Sequence, residues 1–75
     1  MKVTLKVIGP LIYVAGFSEQ QVEVPEAITA DGLLELVGIA GDRPRIVTRN
    51  GKAIGPGERF AVGDRVVVSP LYSGG

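Results

Sequence analysis

Apolar and polar residues alternate at the start of the chain. The apolar side chains are Val3, Leu5 and Val7, and this period of two is typical of a strand with one buried face. Gly9-Pro10 ends the pattern, because proline lacks a donor N–H and disfavours helical angles in the residue before it. The sequence therefore predicts a first strand over residues 3–8.

The apolar segment 11–17 does not fix its own conformation. It fits either a short helical turn under the sheet or extended chain, and periodicity does not separate the two in so short a run. In a helix, Tyr13 and Phe17 would share one face. Alternation resumes over residues 20–25, which predicts a second strand paired antiparallel with the first.

One helix is predicted in the middle of the chain. Thr29 is a suitable N-cap, Asp31 puts a negative charge in the first turn, and Gly38 ends the helix. Between them lies an apolar stripe formed by Leu33, Leu34, Leu36 and Val37. So short a helix must be held by packing on the sheet.

A hairpin and a last strand complete the chain. After a loop at 39–44, the β-rich stretch 45–49 enters Asn50-Gly51, the strongest short hairpin signal, and 52–54 returns as a short strand. Turns at Gly55-Pro56-Gly57 and Gly63-Asp64 flank an irregular crossover anchored by Phe60. The valine-rich stretch 65–69 is typical of a central, buried strand.

The order of elements predicts an α+β fold of the β-grasp (ubiquitin-like) type. The first and last strands are the most apolar, so we expect them side by side and parallel, joined by the helical crossover, with hairpins on the flanks. The sheet would be mixed and four- to five-stranded, with one main helix on one face. We assign residues 1–69 to this domain and 70–75 to a flexible tail.

Composition narrows the possible functions of this 75-residue chain. Eight basic and eight acidic residues cancel, which argues against nucleic-acid binding. The absence of cysteine and histidine removes disulfides, thiolate nucleophiles, ordinary zinc sites and the commonest general base. No apolar run approaches the roughly 18 residues of a membrane span, and no signal peptide is evident. We therefore expect a cytoplasmic protein with no metal site and no membrane partner.

The tail carries the distinctive chemistry. Gly74 and Gly75 have no Cβ, so they could pass through a narrow slot and offer the α-carboxylate to another protein's active site. A frayed end is the ordinary alternative, since termini are poorly ordered unless tied down.

Five segments bear on that choice: Gly9-Pro10-Leu11, Val24-Pro25-Glu26 with Leu33-Leu34-Glu35-Leu36, Asn50-Gly51-Lys52, Val62-Gly63-Asp64-Arg65-Val66-Val67 and Ser73-Gly74-Gly75. In this order and at this length, the chain resembles the MoaD/ThiS family of ubiquitin-like sulfur carrier proteins. The Gly-Pro-Leu segment and residues 11–17 make it more similar to MoaD, whereas Leu71-Tyr72-Ser73 departs from the Pro-rich approach of many MoaD tails.

The resemblance implies a carrier rather than an enzyme. Gly75 would be adenylated by a ubiquitin-activating-like adenylyltransferase of the MoeB or ThiF type, which uses ATP and magnesium, and then converted to a thiocarboxylate. The sulfur would pass to a synthase subunit of the MoaE type for molybdopterin or tungstopterin, or to thiazole synthase. Gly74, Ser73 and Tyr72 would enter the partner's channel, and no cofactor would be bound stably.

A partner also needs a docking face. If Val66 and Val68 face the helix, Val67 points to the other side of the sheet. With Ile46 inward, Arg45, Val47 and Arg49 would share this open face. The candidate docking residues are Val67, Val47, Arg45, Arg49 and Leu71. Scattered exposed apolar residues, however, need no functional explanation.

Three alternative functions stay open. The chain could be a ThiS-like carrier for thiamine thiazole synthesis, or a ubiquitin-like modifier conjugated to lysines through Gly75. It could also be a plain β-grasp interaction module whose Gly-Gly is incidental.

Overall fold

The computed structural model describes residues 1–39 and 45–70. Its elements are β1 (Lys2–Val7), α1 (Leu11–Ala15), β2 (Glu19–Glu23), α2 (Ala30–Leu36), β3 (Arg45–Arg49), β4 (Lys52–Ala53) and β5 (Arg65–Pro70). The strands form one sheet in the order β2-β1-β5-β3-β4. The neighbours β1 and β5 are parallel, and every other pair is antiparallel. The predicted fold class and the predicted central parallel pair are both confirmed.

The core lies between the sheet and α2. Alternation in β1 and β5 sends every second side chain to this face, and α2 covers it with Leu33 and Leu34. Phe60, the predicted anchor of the crossover, is buried with them. The cluster consists of Val3, Leu5, Val7, Leu11, Val24, Ala30, Leu33, Leu34, Ile39, Val47, Phe60, Val66 and Val68. Removing this apolar area from water is the main favourable term in folding.

Both ends of α2 are capped as predicted. The Thr29 hydroxyl accepts a hydrogen bond from the Gly32 N–H at 3.1 Å. At the other end Gly38 has φ +87°. Its N–H donates to the Glu35 carbonyl at 3.1 Å, and the Ile39 N–H donates to the Leu34 carbonyl at 2.9 Å. This pair of bonds is a Schellman motif, which needs a left-handed residue where the glycine stands.

The Thr29 cap gives a first testable prediction. Thr29→Ala should lower the free energy of unfolding by about 1 kcal/mol, because the Gly32 N–H loses its acceptor. Urea unfolding followed by circular dichroism measures the change. Thr29→Ser keeps the hydroxyl and is the matched control. Equal losses in the two variants would contradict a capping role.

The segment 11–17 contains α1, so its helical alternative is the correct one. Leu11 is buried in the core, while Tyr13 is 89% exposed and Phe17 packs against the core from outside the helix. The predicted shared face of the two aromatic residues is wrong. The helix ends at Ala15, and the left-handed Gly16 redirects the chain before Phe17.

Two predicted turns meet at one end of the sheet. Asn50 and Gly51 have φ values of 51° and 89°, the two positive angles that a type I′ hairpin turn requires. The Asn50 amide oxygen accepts from the Arg65 N–H at 2.9 Å, and its nitrogen donates to the Asp64 carboxylate at 3.0 Å. Asp64 also accepts from the Ala61 N–H at 2.8 Å. The β3–β4 turn is thereby fastened to the start of β5.

The stability that these hydrogen bonds contribute depends on pH through the Asp64 carboxyl. The Ala61 N–H, and then the Asn50 amide, hold the pKa of the Asp64 carboxyl below its ordinary value. A carboxyl whose folded pKa is depressed stabilises the fold above its unfolded pKa of about 3.9, and this stability is lost as the pH falls through the folded value. We expect Asp64→Asn to be less stable than the original chain at neutral pH, with the gap closing in acid. Urea unfolding across that range measures it, and a constant gap would contradict the assignment.

None of the described helices is long and apolar enough to cross a membrane.

Candidate functional site

The predicted tail site, residues 71–75, lies outside the described residues. What the structure describes is the strand that leads to it. β5 lies between β1 and β3, and it extends to Pro70, which pairs with Arg45 at the start of β3. Pro70 therefore belongs to the sheet, one residue beyond the predicted strand.

The Gly9-Pro10 turn lies against the end of β5. The Ile8 N–H donates to the Val68 carbonyl at 3.0 Å, which continues the β1–β5 pairing past the end of β1. A Cβ on Gly9 would lie 3.7 Å from the Pro70 Cγ, an ordinary contact distance. The β1–α1 connection and β3 thus flank the last described residue of β5 on opposite sides.

The predicted orientation of β3 is wrong. Val47 lies opposite Val68 in the antiparallel ladder and is only 8% exposed, so it belongs to the core. Ile46 lies opposite Ser69 and is 38% exposed. Directly opposed residues face the same side of a sheet, and Val68 fixes that side as the one under α2. The open face therefore carries Ile46 in place of Val47.

Arg45 and Arg49 lie on the same face of β3 as Val47, which is the face under α2. Their predicted place on the open face is therefore also wrong. The Arg45 guanidinium pairs with the carboxylate of Asp31 in the first turn of α2. The Arg49 guanidinium donates to the Arg59 carbonyl and lies 3.6 Å from the Glu58 carboxylate. These contacts tie β3 to α2 and to the crossover.

Val67 lies on the open face as predicted, between the buried Val66 and Val68. Near it are Ile8, which the sequence did not single out, and Ile46, which was predicted to face inward. Ile8, one residue past the end of β1, and Ile46 of β3 flank Ser69, and both are exposed. We call Ile8, Ile46 and Val67 the apolar patch. The alternation of β1, continued one residue past Val7, would have indicated Ile8.

Charged groups border the apolar patch on one side. Lys6 lies beside Val67 in the β1–β5 pairing, and Glu19 lies beside Lys6 in the β1–β2 pairing. The Arg65 guanidinium is 3.4 Å from the Glu19 carboxylate. An apolar centre with a polar, charged rim is the usual composition of a protein–protein interface.

The ionisable groups with shifted pKa values have structural partners. The α-amino group of Met1 hydrogen-bonds to Glu23 and lowers the pKa of that carboxyl, and Asp64 is held by the turn network. Within residues 1–39 and 45–70, no group of three or more acidic side chains is placed to hold a metal ion.

Comparison with known proteins gives the fold and the family. SAMP1 from Haloferax volcanii is 31% identical over 100% of both chains, with a TM-score of 0.80. Another Haloferax volcanii protein, known from a solution structure, is 25% identical over 100% of this chain and 87% of that one, with a TM-score of 0.82.

A Pyrococcus furiosus protein assigned as molybdopterin converting factor, subunit 1, is 22% identical over 96% of this chain and 99% of that one, with a TM-score of 0.81. At this identity the likeness concerns the fold alone. No protein-family model and no curated protein matches the chain.

The fold and the full-length match define a small ubiquitin-like protein of the β-grasp class. Within that class, the chain belongs to the family of SAMP1, a MoaD/ThiS-like group of ubiquitin-fold proteins.

Proposed function

We propose that the chain is a sulfur carrier that is adenylated and then thiocarboxylated at Gly75, and that donates sulfur in molybdopterin or tungstopterin synthesis. The observation that carries the proposal is the full-length 31% identity to SAMP1. Gly74 and Gly75, on which the proposed chemistry falls, follow the central strand β5, which extends to Pro70. The protein then acts as a substrate of its partners rather than as an enzyme.

The chemistry requires only the terminal carboxylate from this chain. A carboxylate oxygen of Gly75 attacks the α-phosphorus of ATP, pyrophosphate leaves, and an acyl-adenylate forms. Hydrosulfide released by a sulfur donor then attacks the carbonyl carbon, the bond from that carbon to the AMP oxygen breaks, and AMP leaves, so one oxygen of Gly75 is replaced by sulfur. An adenylyltransferase of the MoeB or ThiF type would supply the ATP, the magnesium and the catalytic groups. Glycine at 74 lets the backbone approach such a site closely.

The likeness to molybdopterin converting factor, subunit 1, supports the pterin pathway only through the shared fold. The acceptor we propose is a synthase subunit of the MoaE type. A thiazole synthase is the acceptor in the alternative, ThiS-like role.

The apolar patch supplies a docking face for the adenylyltransferase. Ile8, Ile46 and Val67 lie on the open face of the sheet, close to the point where β5 leads into residues 71–75. A partner that receives the tail can therefore cover the patch at the same time. The predicted contribution of Leu71 to this face stays a prediction.

Pyrophosphate exchange tests the first step. An activating enzyme of this type, the chain and ATP should exchange labelled pyrophosphate into ATP in proportion to the carrier added. Deleting Gly75 should abolish the exchange. The terminal carboxylate then belongs to Gly74, which is one residue closer to β5 and falls short of the bound ATP. Exchange that continues at the original rate with the shortened chain would exclude activation at Gly75.

A second candidate is supported by a specific observation. The relative at 31% identity is a small archaeal modifier protein, so the activated Gly75 could instead be transferred to lysine amines of other proteins. Both functions share the acyl-adenylate and separate after it. Lysine-linked adducts in a reaction that contains candidate acceptor proteins would favour the modifier.

A further inference from the structure

Asn50 makes the hydrogen bonds that join the β3–β4 turn to β5. Its backbone N–H donates to the Arg65 carbonyl at 2.8 Å, and its side-chain amide oxygen accepts from the Arg65 N–H at 2.9 Å. The amide nitrogen donates to Asp64 at 3.0 Å. Asp64 in turn accepts the Thr4 N–H of β1 on its carbonyl at 2.9 Å. Asn50 and Asp64 together thus connect the β3–β4 turn with β5 and β1.

Asn50 is followed by Gly51, and this dipeptide has a characteristic chemistry. The Gly51 backbone nitrogen loses its proton to solvent base and bonds to the Asn50 side-chain carbonyl carbon. The bond from that carbon to the amide nitrogen breaks, and the nitrogen takes up a proton and leaves as ammonia. Water then opens the cyclic imide to give aspartate or isoaspartate. Glycine favours the closure, because it has no side chain to obstruct it.

The fold opposes this closure. To reach the Gly51 nitrogen, the Asn50 amide must leave both Arg65 and Asp64, so two hydrogen bonds break before the reaction begins. The Asp64 carboxylate also accepts from the nitrogen that must depart, and it offers no proton to it.

We propose that Asn50-Gly51 is a deamidation site that the hydrogen bonds to Asp64 and Arg65 protect from reaction. Deamidation there weakens the attachment of β5 to the β3–β4 turn. An aspartate at 50 places a second carboxylate against Asp64, where the amide had donated a hydrogen bond, and like charges at that distance repel. Isoaspartate adds a backbone atom to a two-residue turn whose geometry the strand register fixes. The affected strand is the one that leads to Gly75.

The deamidation rate tests the protection. The full chain is held in mildly alkaline buffer, folded or in urea, and the replacement of amide by acid is followed by intact mass and isoaspartate content. The folded chain should react at least about tenfold more slowly than the unfolded chain, since the hydrogen bonds must open first. Asp64→Ala should remove much of this protection while the protein stays folded. Equal rates in folded and unfolded chain, or in folded Asp64→Ala and the original chain, would overturn the proposal.

Exchanging the side chains of Asn50 and Asp64 tests whether a carboxylate at position 50 destabilises the fold, without requiring deamidation. Asn50→Asp should lower the urea midpoint at neutral pH, although aspartate tolerates the turn as well as asparagine does. Adding Asp64→Asn should recover much of the loss, because the carboxylate at 50 still accepts from the Arg65 N–H and now also from the new amide. The double-mutant cycle isolates this coupling. Losses that simply add would show that the two side chains do not act together.

Discussion

Replacing Val67 by aspartate is expected to raise the KM of the activating enzyme for the carrier about tenfold or more, with kcat little changed at saturating carrier. Central interface residues cost about 1–2 kcal/mol or more when they are lost, and taking a carboxylate out of water into the apolar centre of an interface adds to that cost. Because the chemistry takes place at Gly75 rather than on the sheet, the step after docking should proceed normally. Initial rates of pyrophosphate exchange against carrier concentration measure both constants.

Val62→Asp is the matched control for the docking face. Val62 is 74% exposed, more than any residue of the apolar patch, but it lies in the crossover before β5. The same substitution there should leave KM unchanged. Urea unfolding shows whether each variant is folded, since aspartate is unfavourable in strands. If the two variants raise KM equally, or if folded Val67→Asp leaves it unchanged, the apolar patch is not the docking face.

Leu5→Ala is expected to lower the free energy of unfolding by about 2–5 kcal/mol. Leu5 is fully buried in β1, directly beside Val66 of β5, so its removal leaves a cavity between the two central strands and α2. Total stabilities are about 0.05–0.15 kcal/mol per residue, so the loss is a large part of the stability of so small a domain. Urea unfolding at neutral pH measures it through the midpoint and the slope.

Leu36→Ala removes the same atoms from a position that is 56% exposed at the end of α2. The loss there should be a small fraction of the Leu5 loss, because little apolar area is buried and alanine favours the helix. Comparable losses at the two positions would contradict the assignment of Leu5 to the core.

The sequence predicts the fold well where a local signal and the core agree. Alternation in β1 gives both the strand and its buried face, the Thr29 hydroxyl and Gly38 mark the ends of α2, and Asn50-Gly51 marks the hairpin. These features depend on chemistry within a few residues, which one sequence displays in full. The central position of β1 and β5 follows from their apolar content.

The orientation of β3 could not be read in the same way. Ile46 and Val47 are adjacent and both apolar, so the stretch has no alternation, and only pairing with Val68 decides which of them is buried. Flanking arginines are typical of an open face. In fact their long side chains reach over the helix side of the sheet to Asp31 and Glu58, as long basic side chains can do while keeping the charged group at the surface.

The most direct test of the central claim is the intact mass of the chain after incubation with an activating enzyme of the MoeB or ThiF type, ATP, magnesium and a sulfur donor. The account predicts a product heavier by the difference between one sulfur and one oxygen, with the change located at Gly75 and absent when Gly75 is deleted. An unchanged mass under conditions where the enzyme is active on another carrier would contradict the claim, as would sulfur incorporation that survives the deletion.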